Sequence, residues 1–127
     1  MNAEHSIHLA QRGIHPAGER LEEAARLDDI AARLMAVQRA WNAPDREARL
    51  AEALAASRQV WYGIQTALAE GTLPLPAEVQ HNLLILSVYA DSKIDACKVA
   101  ASADALGGLI ALTRTLAGSL REWREAA

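Results

Sequence analysis

Phenylalanine is absent from this chain, and aromatic rings are scarce altogether, with three Trp and two Tyr in 127 residues. No stretch combines β-branched enrichment with period-2 alternation, so the composition excludes a sheet protein. A single cysteine, Cys97, leaves no partner for an internal disulfide and fits a reducing compartment. A surplus of basic residues is also lacking. The formal charge of −3 argues against a non-specific nucleic-acid binder and against direct DNA binding, which need a concentrated basic surface. The longest apolar run, "NLLILSVYA" around residue 86, is too short to span a bilayer. Glu4 sits in a mixed polar stretch without an apolar h-region, so the N-terminus is not a secretory signal. A cytoplasmic protein with no membrane segment is expected.

What remains is helix. Ala, Leu, Glu, Arg and Gln dominate, and the length supports one domain over 1–127 with its own core. Four amphipathic segments can be read. The first covers roughly 17–41, with Leu27, Ile30, Leu34, Val37 and Trp41 at steps of three and four. Pro44 is placed at the first position of the second, about 44–70, whose seam is Leu50, Leu54, Ser57, Trp61, Ile64 and Leu68. Gly71 is its expected cap, and "TLPLP" makes a stiff turn.

Pro76 opens the third segment, with Val79, Leu83, Leu86, Ala90, Ile94 and Cys97 as its seam and Leu84 and Val88 widening the apolar face. The last carries Leu106, Leu109, Ile110, Leu116, Leu120 and Trp123, with Ser102 as N-cap and Gly107-Gly108 weakening its first turn. Residues 1–15 add at most a short, weak helix. Short connections favour antiparallel neighbours, hence an all-α, up-down bundle of about four helices.

Trp61 and Tyr62 are adjacent, and adjacent residues of a helix point about 100° apart. Trp61 lies on the seam and is expected in the core. Tyr62 lies off it, near Arg58 and Gln65, either as a half-buried tyrosine with a wet hydroxyl or as a partner contact.

Catalytic constellations are missing. Glu78 and His81 supply half of a di-iron bundle signature, which needs a second Glu-x-x-His and two further Glu, so a helical-bundle metalloprotein is a remote alternative. His5, His8 and His15 have no evident companions for a metal site. Cys97 and His81, 16 residues apart on one helix, would stand about 24 Å apart, too far for a thiol and its base. Neither an enzyme nor a bound cofactor or metal is expected.

"SRQVW" (57–61), "LPAEVQHNLLILSVYA" (75–90) and "LIALTRTLAGSL" (109–120) together resemble the flagellar biosynthesis regulator FlaF family of alphaproteobacteria. Arg58, Trp61, Leu75, Pro76, Leu86, Leu109, Ile110 and Arg114 match its motif positions. Val60, Val79 and Tyr89 are conservative stand-ins. Ser57 and Thr113 replace the family's two asparagines, Gly118 falls one residue early, and residues 1–56 agree only in helical character.

The resemblance implies a non-catalytic cytoplasmic protein that promotes flagellin production and export, acting beside the FlbT regulator and binding flagellin itself. The alternative is a post-transcriptional regulator of flagellin messenger RNA working with FlbT. Arg58, Tyr62, Tyr89 and Arg114 are the expected partner contacts. Trp61, Leu75, Pro76, Leu86, Leu109 and Ile110 are the expected structural positions.

Overall fold

The computed structural model describes residues 16–73 and 75–122. It consists of four helices: α1 (Pro16–Arg39), α2 (Arg46–Glu70), α3 (Ala77–Val99) and α4 (Ala103–Glu122). Each packs on two neighbours in the order α1–α2–α3–α4, and α4 returns to α1 to close the ring. Connections of six residues or fewer leave no room for a crossover, so consecutive helices run antiparallel. The expected all-α bundle is the observed fold. His5, His8, His15 and Trp123 lie outside the described residues.

The core is built from the stripes that the period of 3.6 brings to one side of each helix. Leu27, Ile30 and Leu34 enter from α1, Leu54, Trp61 and Ile64 from α2, Ile94 from α3, and Leu106 and Leu109 from α4. All six seam positions of α2 are buried, including Trp61, which has no exposed surface. Leu75, Leu109 and Ile110 are buried as expected.

The first turn departs from the sequence reading. α1 ends at Arg39, and Trp41 lies beyond it, half-buried, with the Arg46 guanidinium 4.4 Å from its ring centroid. Pro44 is not a helical residue. Proline disfavours helix at the residue before it, Ala43, so the chain turns, and Asp45 takes the N-cap position of the helix that begins at Arg46 without a side-chain capping bond.

The other junctions follow their local chemistry. Gly71 adopts the left-handed conformation (φ 73°) that closes α2 in a Schellman motif. Its N–H donates to the Leu68 carbonyl, and the N–H of Thr72 donates to the Ala67 carbonyl. Leu73 and Leu75 then turn inward and are buried. Pro76 is the N-cap of α3, one position ahead of the expected site. With ψ at 148° it is still extended, while its carbonyl accepts the first helical bond from the Gln80 N–H at 2.9 Å. The Gln80 side chain reaches back to donate to the Leu75 carbonyl at 2.8 Å, tying the turn to the helix.

Ser102 caps α4, its Oγ accepting from the Ala105 N–H at 3.0 Å. Gly107 and Gly108 have a reason to be there. A Cβ on Gly107 would stand 3.3 Å from Nε2 of Gln38, and one on Gly108 would stand 3.2 Å from Nζ of Lys93. Gln38 uses that close approach to donate to the Ala103 carbonyl at 2.9 Å, anchoring the start of α4 to α1. At the other end of the same seam, Arg121 pairs with Asp28.

α3 buries the expected seam at Leu83, Ala90, Ile94 and Cys97, and departs from it at one position. Its buried line is Leu83, Ser87, Ala90, Ile94 and Cys97, so Ser87 occupies the inward position assigned to Leu86, which is only half-buried. Leu84 and Val88 face outward instead of widening the core contact. The physical reason lies in the helix itself. Its stretch 83–90 is apolar nearly all round, so periodicity does not choose between Leu86 and Ser87, and Ser87 finds polar partners on the inner side. Gln65 of α2 donates to Oγ of Ser87 at 3.0 Å, which holds Ser87 inside.

Candidate partner-binding face

A helix that carries large apolar side chains all round is normally covered on all sides. In α3 the inward line uses small or polar residues at three of its five positions, and the bulk is outside. Leu84, Ile85, Val88 and Tyr89 are between 43% and 64% exposed. They occupy positions i, i+1, i+4 and i+5, two neighbouring rows on one side of the helix. Val99 is 88% exposed at the C-terminal end of the same helix. Single exposed apolar residues are ordinary, whereas a contiguous group of four makes this face the candidate contact surface.

Charged groups line the two edges of this face. Towards α2, Arg58 is shared between two carboxylates, with Nη2 2.5 Å from Asp95 and Nη1 3.6 Å from Asp91. Gln65 donates a further bond to Asp91 at 3.3 Å. Lys98, exposed one turn beyond Asp95 and facing α2, adds a second positive charge, so the two signs balance along this edge. Towards α4, Lys93 places its ammonium 4.9 Å from the Tyr89 ring centroid and beside Gly108. Such a contact at an exposed site contributes about 0.5–1 kcal/mol and holds the Tyr89 ring in place.

The four expected contact residues do not form one site. Arg58 is held within the bundle by Asp91 and Asp95, so it shapes an edge and is not a free contact. Arg114 is exposed on α4 and lines a shallow groove with Asp28 and Arg121, at the α1–α4 seam on the opposite side of the ring. Tyr62 is 67% exposed and lines an open groove with Glu23, Arg26 and Gly63. Tyr89 alone belongs to the α3 face. Sequence reasoning missed Leu84, Ile85 and Val88 as contacts. The signal was present in "LLILSVY", which holds more large apolar residues than one inward seam can use.

Inside the bundle, the two positions that depart from the family asparagines are both fully buried. Thr113 satisfies its hydroxyl by donating to the Leu109 carbonyl at 2.8 Å. Ser57 Oγ and, one turn on, Trp61 Nε1 have no protein partner. Cys97 is buried, and burial pushes its thiol pKa up, with Lys93 opposing more weakly. Glu78 and His81 are exposed at the start of α3. Among the described residues, no group of three His, Cys, Asp or Glu is placed to hold a metal ion, and no helix is long and apolar enough to cross a membrane.

No curated protein and no solved structure matches the chain. The family model of flagellar protein FlaF matches residues 9–120, a span that takes in all four helices up to Leu120. The chain belongs to the FlaF family of flagellar proteins.

Proposed function

We propose that this protein binds flagellin in the cytoplasm through the outer face of α3 and holds it before export, so promoting its production and secretion alongside FlbT. Membership of a flagellar family supports the biological setting. The observation that carries the binding role is the exposed group Leu84, Ile85, Val88 and Tyr89 on a helix whose inward side is already packed. Terminal segments of flagellin are disordered before assembly and amphipathic when helical. Such a segment gains by laying its apolar face on an apolar helix surface, at the cost of ordering itself.

The test is co-purification of flagellin with the tagged full-length chain, with and without nuclease, followed by titration calorimetry on the Val88→Asp variant. Retention of flagellin after nuclease, with binding weakened at least about thirtyfold by Val88→Asp, is expected, since a hot-spot loss is about 2 kcal/mol or more. Loss of flagellin on nuclease treatment would instead favour the messenger-RNA role.

A further inference from the structure

We infer that the end of the bundle where α2 begins and α3 stops holds a binding site for a small apolar carboxylate, either a free aliphatic amino acid or the aliphatic last residue of a peptide. The site is a notch of about 230 Å³ between the two helices, lined from Arg46 to Leu54 on α2 and from Cys97 to Ala101 at the end of α3. It stands apart from the exposed row Leu84 to Tyr89, which occupies the other half of α3, so it is independent of the flagellin-binding face.

Packing explains why the notch is there. Leu50 and Leu54 form its floor from α2, and the floor from α3 is Cys97, the last inward residue of that helix. Its side chain is smaller than that of Ile94, one turn earlier on the same line. α3 stops two residues later, and the chain leaves through Ala101, whose methyl does not close the gap. Ala51 is equally short on the α2 side, and both alanines are exposed at the mouth. An apolar cavity of about 150 Å³ already binds benzene, so a branched aliphatic side chain fits this one.

The rim supplies the charged groups. Arg46 and Lys98 stand on it, and among the described residues neither has a carboxylate within ion-pair distance. The Arg46 guanidinium is held in place by the Trp41 ring and by a 3.4 Å bond from Nη1 to the Trp41 carbonyl. That is its one protein acceptor among the described residues, so most of the guanidinium's donors are left for a carboxylate. The nearby aspartates are engaged elsewhere, Asp45 by Arg49 and both Asp91 and Asp95 by Arg58. Glu47 is the one acid on the rim among the described residues. A free aliphatic amino acid uses every part, its carboxylate on Arg46 and Lys98, its side chain on the floor and its ammonium beside Glu47. The end of a peptide uses the first two.

The test titrates isotope-labelled full-length protein with leucine, N-acetyl-leucine, N-acetyl-leucinamide and N-acetylglycine, and follows the amide signals by NMR. N-acetyl-leucine is expected to shift the amides of Ala51, Lys98 and Ala101 with a Kd in the low millimolar range, as a ligand of about a dozen heavy atoms allows. The leucinamide should bind about fivefold more weakly, since the exposed ion pairs are lost. N-acetylglycine should bind at least about tenfold more weakly, since it leaves the floor uncovered. Leucine binding tighter than its acetyl derivative would support the site with a free amino acid as its ligand, and the reverse order would support it with a peptide end. Lys98→Gln should cut the preference for acid over amide about twofold to threefold. Ala51→Leu, confirmed to be folded by its melting curve, should fill the mouth and abolish binding of all four.

No saturable shift at tens of millimolar ligand, or shifts centred away from these residues, would overturn the site. Equal affinity for acid and amide would overturn the recognition of a carboxylate. N-acetylglycine binding as well as N-acetyl-leucine would overturn the apolar floor, and Ala51→Leu binding like the parent would overturn the location. Each of these results leaves the outer face of α3 as it was, because that face is probed separately by Val88→Asp.

Discussion

Trp61 offers the sharpest test of how this core is held, because its two parts pull in opposite directions. The indole has no exposed surface and sits among the large buried side chains of all four helices. Its Nε1–H nevertheless has no protein acceptor. Trp61→Ala removes the whole ring and should cost about 3–5 kcal/mol, a large part of the roughly 5–15 kcal/mol that a domain possesses. Trp61→Phe keeps an aromatic ring and discards the N–H. The lost apolar burial, two ring carbons besides the nitrogen, costs about 1–2 kcal/mol. Removing a buried donor without a partner returns about 1–3 kcal/mol. The two nearly cancel, so Trp61→Phe should fall within about 1 kcal/mol of the parent. Urea denaturation followed by far-UV circular dichroism gives both values by linear extrapolation, provided the slopes agree. Trp61→Phe costing as much as Trp61→Ala would refute the reasoning, since the N–H would then be making a strong bond. Trp61→Ala costing under about 1 kcal/mol would refute the burial itself.

Other expectations follow from the junctions and the lone thiol. Gly71→Ala places a Cβ at φ 73° and should destabilise by more than about 1 kcal/mol in the same assay, although nothing lies within 4 Å of the added carbon. Ser102→Ala removes the acceptor for the Ala105 N–H and should cost about 1 kcal/mol, with faster amide exchange confined to the first turn of α4. Because burial raises the Cys97 pKa, the unfolded chain ionises first as pH rises. The stability held by the neutral thiol should therefore decline above the ordinary thiol range, and the parent should lose more than Cys97→Ala between neutral and alkaline pH.

The α2 seam was legible because its apolar residues occupy one stripe, and each position on it proved buried. The caps at Gly71 and Ser102 were legible for a similar reason, each being set by one residue's own chemistry. On α3 the seam was legible at Leu83, Ala90, Ile94 and Cys97 but not at its middle position. Hydrophobicity favours Leu86 there over Ser87, whereas Ser87 is the buried one, with Gln65 donating to it across a gap of 22 residues. The fate of Arg58 was hidden for the same reason. Its carboxylates are 33 and 37 positions away, and only the antiparallel register of α2 and α3 brings them near. The exposed position of Tyr62 could be read from α2 alone, whereas the exposed apolar face of α3 could not, because it is whatever the core leaves unused.

The contact between α1 and α4 has a consequence for how the protein is made. Of the four described helices, the first in the chain finds its most extensive partner in the fourth, with Asp28 and Arg121 joined across 93 residues. Until α4 arrives, the stripe of Leu27, Ile30 and Leu34 lacks one of its two walls. A chain broken off before residue 103 would thus display an oily surface of the kind that chaperones and proteases act on. Synthesis of α4 becomes a condition of folding, so chains cut short of it are screened out by the topology itself.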